Sequence, residues 1–155
     1  YIVYGNLSGK KNAYQVLAIL DNNQTTSYTH KSLKKGTYYK YIVSAYKMTA
    51  GNLEILTTSK SMYAATSGGK YGNITSIKTK SKVSLKAKKK VTLKVTTKKS
   101  AKKMTFFRKL AFESSNPKIA TVSSKGVIKA KKKGTCTIYI YAQNGIYKEV
   151  TVKVK

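Results

Sequence analysis

Alternation with a period of two runs through most of this chain, and no other feature limits its fold so tightly. From Thr135 to Ala142, the residues Cys136, Ile138, Ile140 and Ala142 fall on one side, and Thr135, Thr137, Tyr139 and Tyr141 on the other. Val150, Val152 and Val154 alternate with Thr151, Lys153 and Lys155, and Val83-x-Leu85-x-Ala87 and Val91-x-Leu93-x-Val95 repeat the pattern. Side chains on a strand point alternately to its two faces, so each run reads as a half-buried strand. Short strands separated by Lys, Gly, Asn and Ser turns predict an all-β chain built as sandwiches, without an amphipathic helix.

Charge sets the second limit. Lys and Arg number 32 against four Asp and Glu, a net charge of +28. Self-repulsion of this size costs stability and attracts polyanions at low salt. The cations are almost all lysine, which binds as a point charge and favours diffuse attraction over shape-specific recognition. No apolar run approaches the roughly 20 residues of a membrane span, and no signal peptide is visible. The chain starts at Tyr1, as an excised piece of a longer protein would.

The expected boundary is the glycine-rich stretch Ser67-Gly68-Gly69-Lys70-Tyr71-Gly72-Asn73, which divides the chain into residues 1–70 and 71–155. The first part carries nine Lys/Arg and two acids, the second 23 and two. The segment Lys98 to Lys109, with its aromatic pair Phe106-Phe107, has the weakest alternation and reads as a basic loop.

Residues suited to catalysis are scarce. The acids Asp21, Glu54, Glu113 and Glu149 are far apart, and the single histidine, His30, falls in an expected strand over 27–33. The lone cysteine, Cys136, lies on the apolar face of its strand and reads as buried and inert. No cluster has metal-ligand spacing, four scattered acids argue against calcium, and no phosphate-cradling glycine motif occurs. The expectation is a non-enzyme with no cofactor and no metal. Asn-x-Ser/Thr matches stand at Asn6, Asn23 and Asn73, a pattern short enough to arise by chance.

Basic runs are the most conspicuous binding candidates. They comprise Lys86, Lys88, Lys89 and Lys90; Lys98, Lys99, Lys102, Lys103, Arg108 and Lys109; and Lys131, Lys132 and Lys133 at the end of a run that starts at Lys129. One reading is a solvated surface that aids solubility and blunts strand edges. The other is docking to an anionic polymer such as teichoic acid, acidic polysaccharide or phospholipid headgroups. Tyrosines interleave with the lysines, but no nucleic-acid fold signature is present, so dedicated nucleic-acid binding is not expected. Tyr38, Tyr46, Tyr139 and Tyr141 read as exposed strand residues that could stack on sugars or a protein partner, and cross-strand packing explains them equally well.

Phe112-Glu113-Ser114-Ser115-Asn116-Pro117-Lys118-Ile119-Ala120-Thr121-Val122, continued by Ser124-Lys125-Gly126-Val127-Ile128-Lys129-Ala130 and Lys133-Gly134-Thr135, is a long ordered pattern. It resembles the bacterial Ig-like domain, group 2, over roughly residues 74–155. Asn116 and Pro117 would form a turn, and Gly126 and Gly134 would supply positive φ. Ile119, Val122, Val127, Ile128 and Ala130 would supply core, and Phe112 stands where the family usually has Trp. Leu33-Lys34-Lys35-Gly36-Thr37-Tyr38-Tyr39, followed by Lys40 to Tyr46, resembles a fibronectin type III domain. Leu33 precedes a turn there, and Tyr39, six residues later, matches the tyrosine corner. Tyr41, Val43 and Ala45 would then face its core, with Tyr38, Lys40, Ile42 and Tyr46 opposite. Tyr1 to Tyr4 would be that domain's third strand and Ala13 to Leu20 the next, so its N-terminal strands are missing.

Together the two resemblances imply two tandem Ig-like sandwiches, the first partial. They imply an extracellular structural or adhesion module of a Gram-positive surface or secreted protein, a rigid spacer whose lysines associate with cell-wall polymer. Binding of glycan or host protein through tyrosines, or service as an accessory domain of a secreted enzyme, are the alternatives. Upstream domains of a longer chain are the expected partners.

Overall fold

The computed structural model describes residues 1–9, 11–22, 24–69, 71–104 and 108–155, with backbone alone over 100–104. Every regular element among them is a strand. The N-terminal sheet contains β1 (Ile2–Leu7), β2 (Gln15–Ile19), β3 (Tyr38–Thr49), β4 (Asn52–Thr58) and β5 (Met62–Ala65). Its order is β2-β1-β3-β4, with β5 pairing the first part of β3 and β4 the last.

Nine further strands build the C-terminal sandwich: β6 (Tyr71–Lys78), β7 (Lys82–Leu85), β8 (Lys90–Thr92), β9 (Thr96–Met104), β10 (Ala111–Ser114), β11 (Ala120–Val122), β12 (Val127–Ala130), β13 (Gly134–Tyr141) and β14 (Tyr147–Val154). One sheet runs β10-β13-β14-β7, with β7 parallel to β14, another runs β11-β12-β8, and β6 pairs β9. The alternation predicted this core. Cys136, Ile138, Ile140 and Ala142 from β13 and its end meet Val150, Val152 and Val154 from β14, packed with Ile128 and Ala130 from β12. Ile119, Val122 and Phe112 are partly buried against them.

The patterned turns behave as their residues require. The Asn116 backbone carbonyl accepts from Ile119 and Ala120 N–H groups, its side chain accepts from Lys118 N at 3.1 Å, and Pro117 follows in the bend. Gly126 (φ 75°) closes a turn in which its N–H donates to Ser123 O at 2.9 Å, and Gly134 (φ 146°) leads into β13. Both lie in the left-handed half of φ space that side chains rarely adopt.

In the N-terminal sheet the Tyr39 hydroxyl accepts from Lys34 N at 2.9 Å, the bond expected of a tyrosine corner, and Leu33 is half-buried. Tyr39→Phe leaves that N–H without its acceptor and is expected to cost about 1 kcal/mol. Urea denaturation of the two proteins measures it, and identical midpoints would mean that the bond contributes nothing.

Four expectations fail. Lys98 to Met104 is not a loop but part of β9, because the backbone of this polar stretch pairs with β6 in the register Ile74↔Lys99 and Lys78↔Thr96. Pairing satisfies its backbone whatever its side chains do. Phe106, Phe107 and the side chains of Lys102 and Lys103 lie outside the described residues, as does Asn23. No strand covers 27–33; His30 instead packs edge-on against the Tyr39 and Tyr41 rings, its Nδ1 3.1 Å from the Tyr41 hydroxyl. The expected one-sided burial of β3 is not observed, since Tyr38, Tyr39 and Ser44 are buried while Tyr41, Val43 and Ala45 are half-buried. Finally, Val91 to Val95 is strand only as far as Thr92.

Candidate functional site

Two surfaces stand out: a lysine-rich end of the sandwich, and the seam where the sandwich meets the N-terminal sheet. The lysine end is assembled by pairing. Lys90 on β8 sits opposite Lys129 on β12. Lys88 N donates to Ala130 O at 3.1 Å and Ala130 N to Lys89 O at 3.0 Å. The Lys86–Lys89 turn closes through Lys89 N to Lys86 O, with Lys88 at φ 66°. Lys131 and Lys132 N–H groups both donate to Ile119 O, which brings in the neighbouring Lys118, and Ala87 N donates to Lys155 O. Two of the three basic runs, far apart in sequence, thus lie side by side, with Lys86, Lys88, Lys89, Lys90, Lys131, Lys132 and Lys133 all exposed.

The third run goes elsewhere. Lys98 and Lys99 lie mid-way along β9, which runs back toward the seam. Lys109 is exposed there and its carbonyl accepts from Gln143 Nε2 at 2.6 Å. Arg108, expected to reach for external polymer, is half-buried instead. One of its Nη atoms comes within 3.0 Å of the position a Cβ on Gly9 would occupy, and burial lowers its pKa.

The seam is organised by the β13–β14 hairpin turn. Ala142 N donates to Ile146 O at 2.9 Å. Asn144 donates to Asn73 Oδ1 and Ile74 O at 2.6 and 2.7 Å and accepts from Ile146 N, while Gln143 (φ 64°) and Gly145 (φ 98°) take the left-handed positions. The Asn144-Gly145 pair is a hairpin signal in the sequence; what it docks against has no local signal. Ser8 Oγ of the N-terminal sheet donates to Gln143 Oε1, and both residues are buried.

Tyrosines fill the rest of the seam. Tyr63 from β5 lies 4.8 Å from Tyr141, which also stacks on Tyr139 at 5.9 Å and approaches Tyr147 at 6.1 Å. Lys60 bonds the Tyr147 hydroxyl at 3.0 Å, covers the Tyr147 and Tyr139 rings at 4.1 and 5.1 Å, and lies 3.6 Å from Glu149. The Tyr147 bond raises the Lys60 pKa. Burial, with Tyr14 and Glu113 adding, pushes the Tyr63 phenol up to about 12. Burial, with Glu113 adding, raises Tyr141 further. Tyr38 and Tyr141, expected on exposed faces, are each only 2% exposed; Tyr141 is covered by this docking. Tyr46 and Tyr139 are half-buried.

Cys136 is buried, and burial raises its thiol pKa, which disfavours the reactive thiolate. Among the described residues no three His, Cys, Asp or Glu side chains come together, and no helix is long and apolar enough to cross a membrane. Glu54 and Glu149 lie in ion pairs with Lys47 and Lys60.

Residues 73–154 match the family model of the bacterial Ig-like domain (group 2). A stretch of 48 residues is 46% identical to the kappa-carrageenase of Pseudoalteromonas carrageenovora, covering 30% of this chain and 12% of that protein. Among solved structures, domains 4 and 5 of the S-layer protein SbsC align at a TM-score of 0.46 and 19% identity, over 74% of this chain and 64% of that one. The structure of SbsC domains 1–6 aligns at 0.46 and 21%, over 76% and 16%. The chain therefore spans less than two thirds of the length of each of these proteins.

Proposed function

The chain belongs, through residues 73–154, to the bacterial Ig-like domain (group 2) family, and from that premise we propose that it is a non-catalytic extracellular module of a longer surface or secreted protein. In this reading residues 71–155 are the Ig-like domain and residues 1–70 a partial fibronectin type III-like domain. The corner bond of Tyr39 supports the second assignment. The two units act together as a rigid spacer, held by the tyrosine seam, while the lysine end associates with anionic cell-wall polymer.

The observation that carries the polymer reading is the side-by-side placement of the Lys86–Lys90 and Lys129–Lys133 runs. Exposed charges of one sign on adjoining turns raise the local potential for a flexible polyanion more than the same charges spread over the surface. Each basic residue at an anionic surface contributes about 1 kcal/mol. Lys88→Gln, Lys131→Gln and Lys132→Gln together should therefore weaken binding to purified walls about 100-fold. Co-sedimentation with walls that keep or lack teichoic acid measures this. Binding to teichoic-acid-bearing walls alone, lost in the triple variant and at moderate salt, is the expected result. Equal sedimentation of the triple variant would remove the lysine end from the proposal.

Burial of Tyr38 and Tyr141 weighs against a glycan face built on those rings. An accessory role in a secreted enzyme is the second reading, supported by the short similarity to kappa-carrageenase.

A further inference from the structure

The seam also holds a cleft of about 520 Å³, within the roughly 300–1,000 Å³ of small-molecule sites. Tyr14, Lys40 and Tyr63 line it from the N-terminal sheet side, and Arg108 and Gln143 from the sandwich side. Two cations converge in it on Gly9. Lys40 Nζ donates to the Gly9 carbonyl at 3.3 Å, and the Arg108 guanidinium closes on the α-carbon side of the same residue. Lys40 also lies 4.4 Å from the centre of the Tyr14 ring.

No carboxylate is among the described residues that line the cleft. Glu113 lies near enough to act on Tyr14 and Tyr63. Burial makes Lys40 easier to deprotonate, and the Arg108 charge adds to the effect. Neighbouring like charges in a recess oppose each other, and an anion between them relieves the opposition. The remaining lining mixes apolar Leu110, Phe112 and Val122 with polar Ser61 and Ser124, a mixture that suits the C–H and hydroxyl faces of a sugar ring. Ser61, its hydroxyl 3.2 Å from that of Tyr14, offers a donor and acceptor beside the two tyrosines, while the Gln143 amide is already bonded to Ser8 and Lys109.

We propose that this cleft binds an acidic sugar unit, its sulfate or carboxylate held between Lys40 and Arg108 and its ring against Tyr14 and Tyr63. The site is independent of the lysine end, which lies at the far end of β13, roughly 23 Å away at about 3.3 Å per residue.

Titration of the intact chain with glucose 6-sulfate, glucuronate, glucose and sodium sulfate, followed by amide NMR shifts, tests it. Either acidic sugar should shift the amides of Ser8, Tyr14, Ser61 and Gln143 saturably, at least tenfold more tightly than glucose or inorganic sulfate. Lys40→Gln should weaken the sugar at least tenfold, Lys40→Arg should retain it, and the Lys131→Gln/Lys132→Gln pair should bind as the parent does. The spectrum of each variant reports its fold. The proposal is overturned if neither acidic sugar produces these shifts, if glucose or sulfate binds as tightly, if the shifts fall on the lysine end, or if a folded Lys40→Gln binds unchanged.

Discussion

Tyr141→Ala is expected to split the unfolding of this chain into two transitions. Tyr141 is 2% exposed and its ring contacts one tyrosine of the N-terminal sheet and two of its own sandwich. Truncating a buried aromatic ring to alanine costs about 3–5 kcal/mol, and here the loss falls on both sides of a seam. The other bridges described are polar: Ser8 to Gln143, Arg108 against Gly9, and the partly exposed Lys60 cluster. An exposed ion pair contributes at most about 1 kcal/mol, so the seam has little to replace the ring. Differential scanning calorimetry should show one transition for the parent chain and for Tyr141→Phe, which keeps the ring, and two for Tyr141→Ala. A single unshifted transition in Tyr141→Ala would refute the fastening role of the Tyr141 ring, because the units would then be coupled without it.

The second large effect is expected at Ile138→Ala. Ile138 is fully buried in β13, between strands that place Val150 opposite it and Ser114 on its other side. Loss of an isoleucine to alanine in a packed core costs about 2–5 kcal/mol, the spread reflecting how far the cavity collapses. For a unit of this size, about 3 kcal/mol corresponds to a fall of about 12–24 °C in Tm. The sandwich has less in reserve than an ordinary domain, because its 23 Lys and Arg face two acids and repel one another. Added salt screens that repulsion and should recover part of the lost Tm. Thermal melts followed by circular dichroism at low and moderate salt measure both. A shift below about 5 °C would show that the core tolerates the cavity and would contradict the packing described for β13.

Much of the fold was legible because its causes are local or strictly periodic. The Cys136 to Ala142 face is buried as its alternation requires, since a strand cannot present adjacent residues to one core. Asn116, Pro117, Gly126 and Gly134 mark turns because their backbone preferences operate within a few residues. Tyr39 was identifiable because its partner, Lys34 N, is five residues away.

The expectations that failed depend on distant partners. Residues 96–104 lack apolar alternation, and they form a strand because β6 offers its backbone hydrogen bonds across the pair. Tyr141 alternates as an outward residue in β13, and it is buried because Tyr63, nearly 80 positions earlier, docks on it. Arg108 belongs to a basic run by sequence, yet it packs at the seam beside Gly9.

The alternation along the chain by itself determined that this protein is all-β, with a sandwich core in its second part, because side-chain direction on a strand is fixed residue by residue. The tertiary structure alone decided what the surfaces became. It placed the Lys86–Lys90 run beside the Lys129–Lys133 run, turned Tyr141 from a display residue into a fastening, and drew Lys40 and Arg108 into one cleft. Charge and aromaticity state what a side chain can do, but its neighbours are set by strand pairing and docking between residues far apart in the chain.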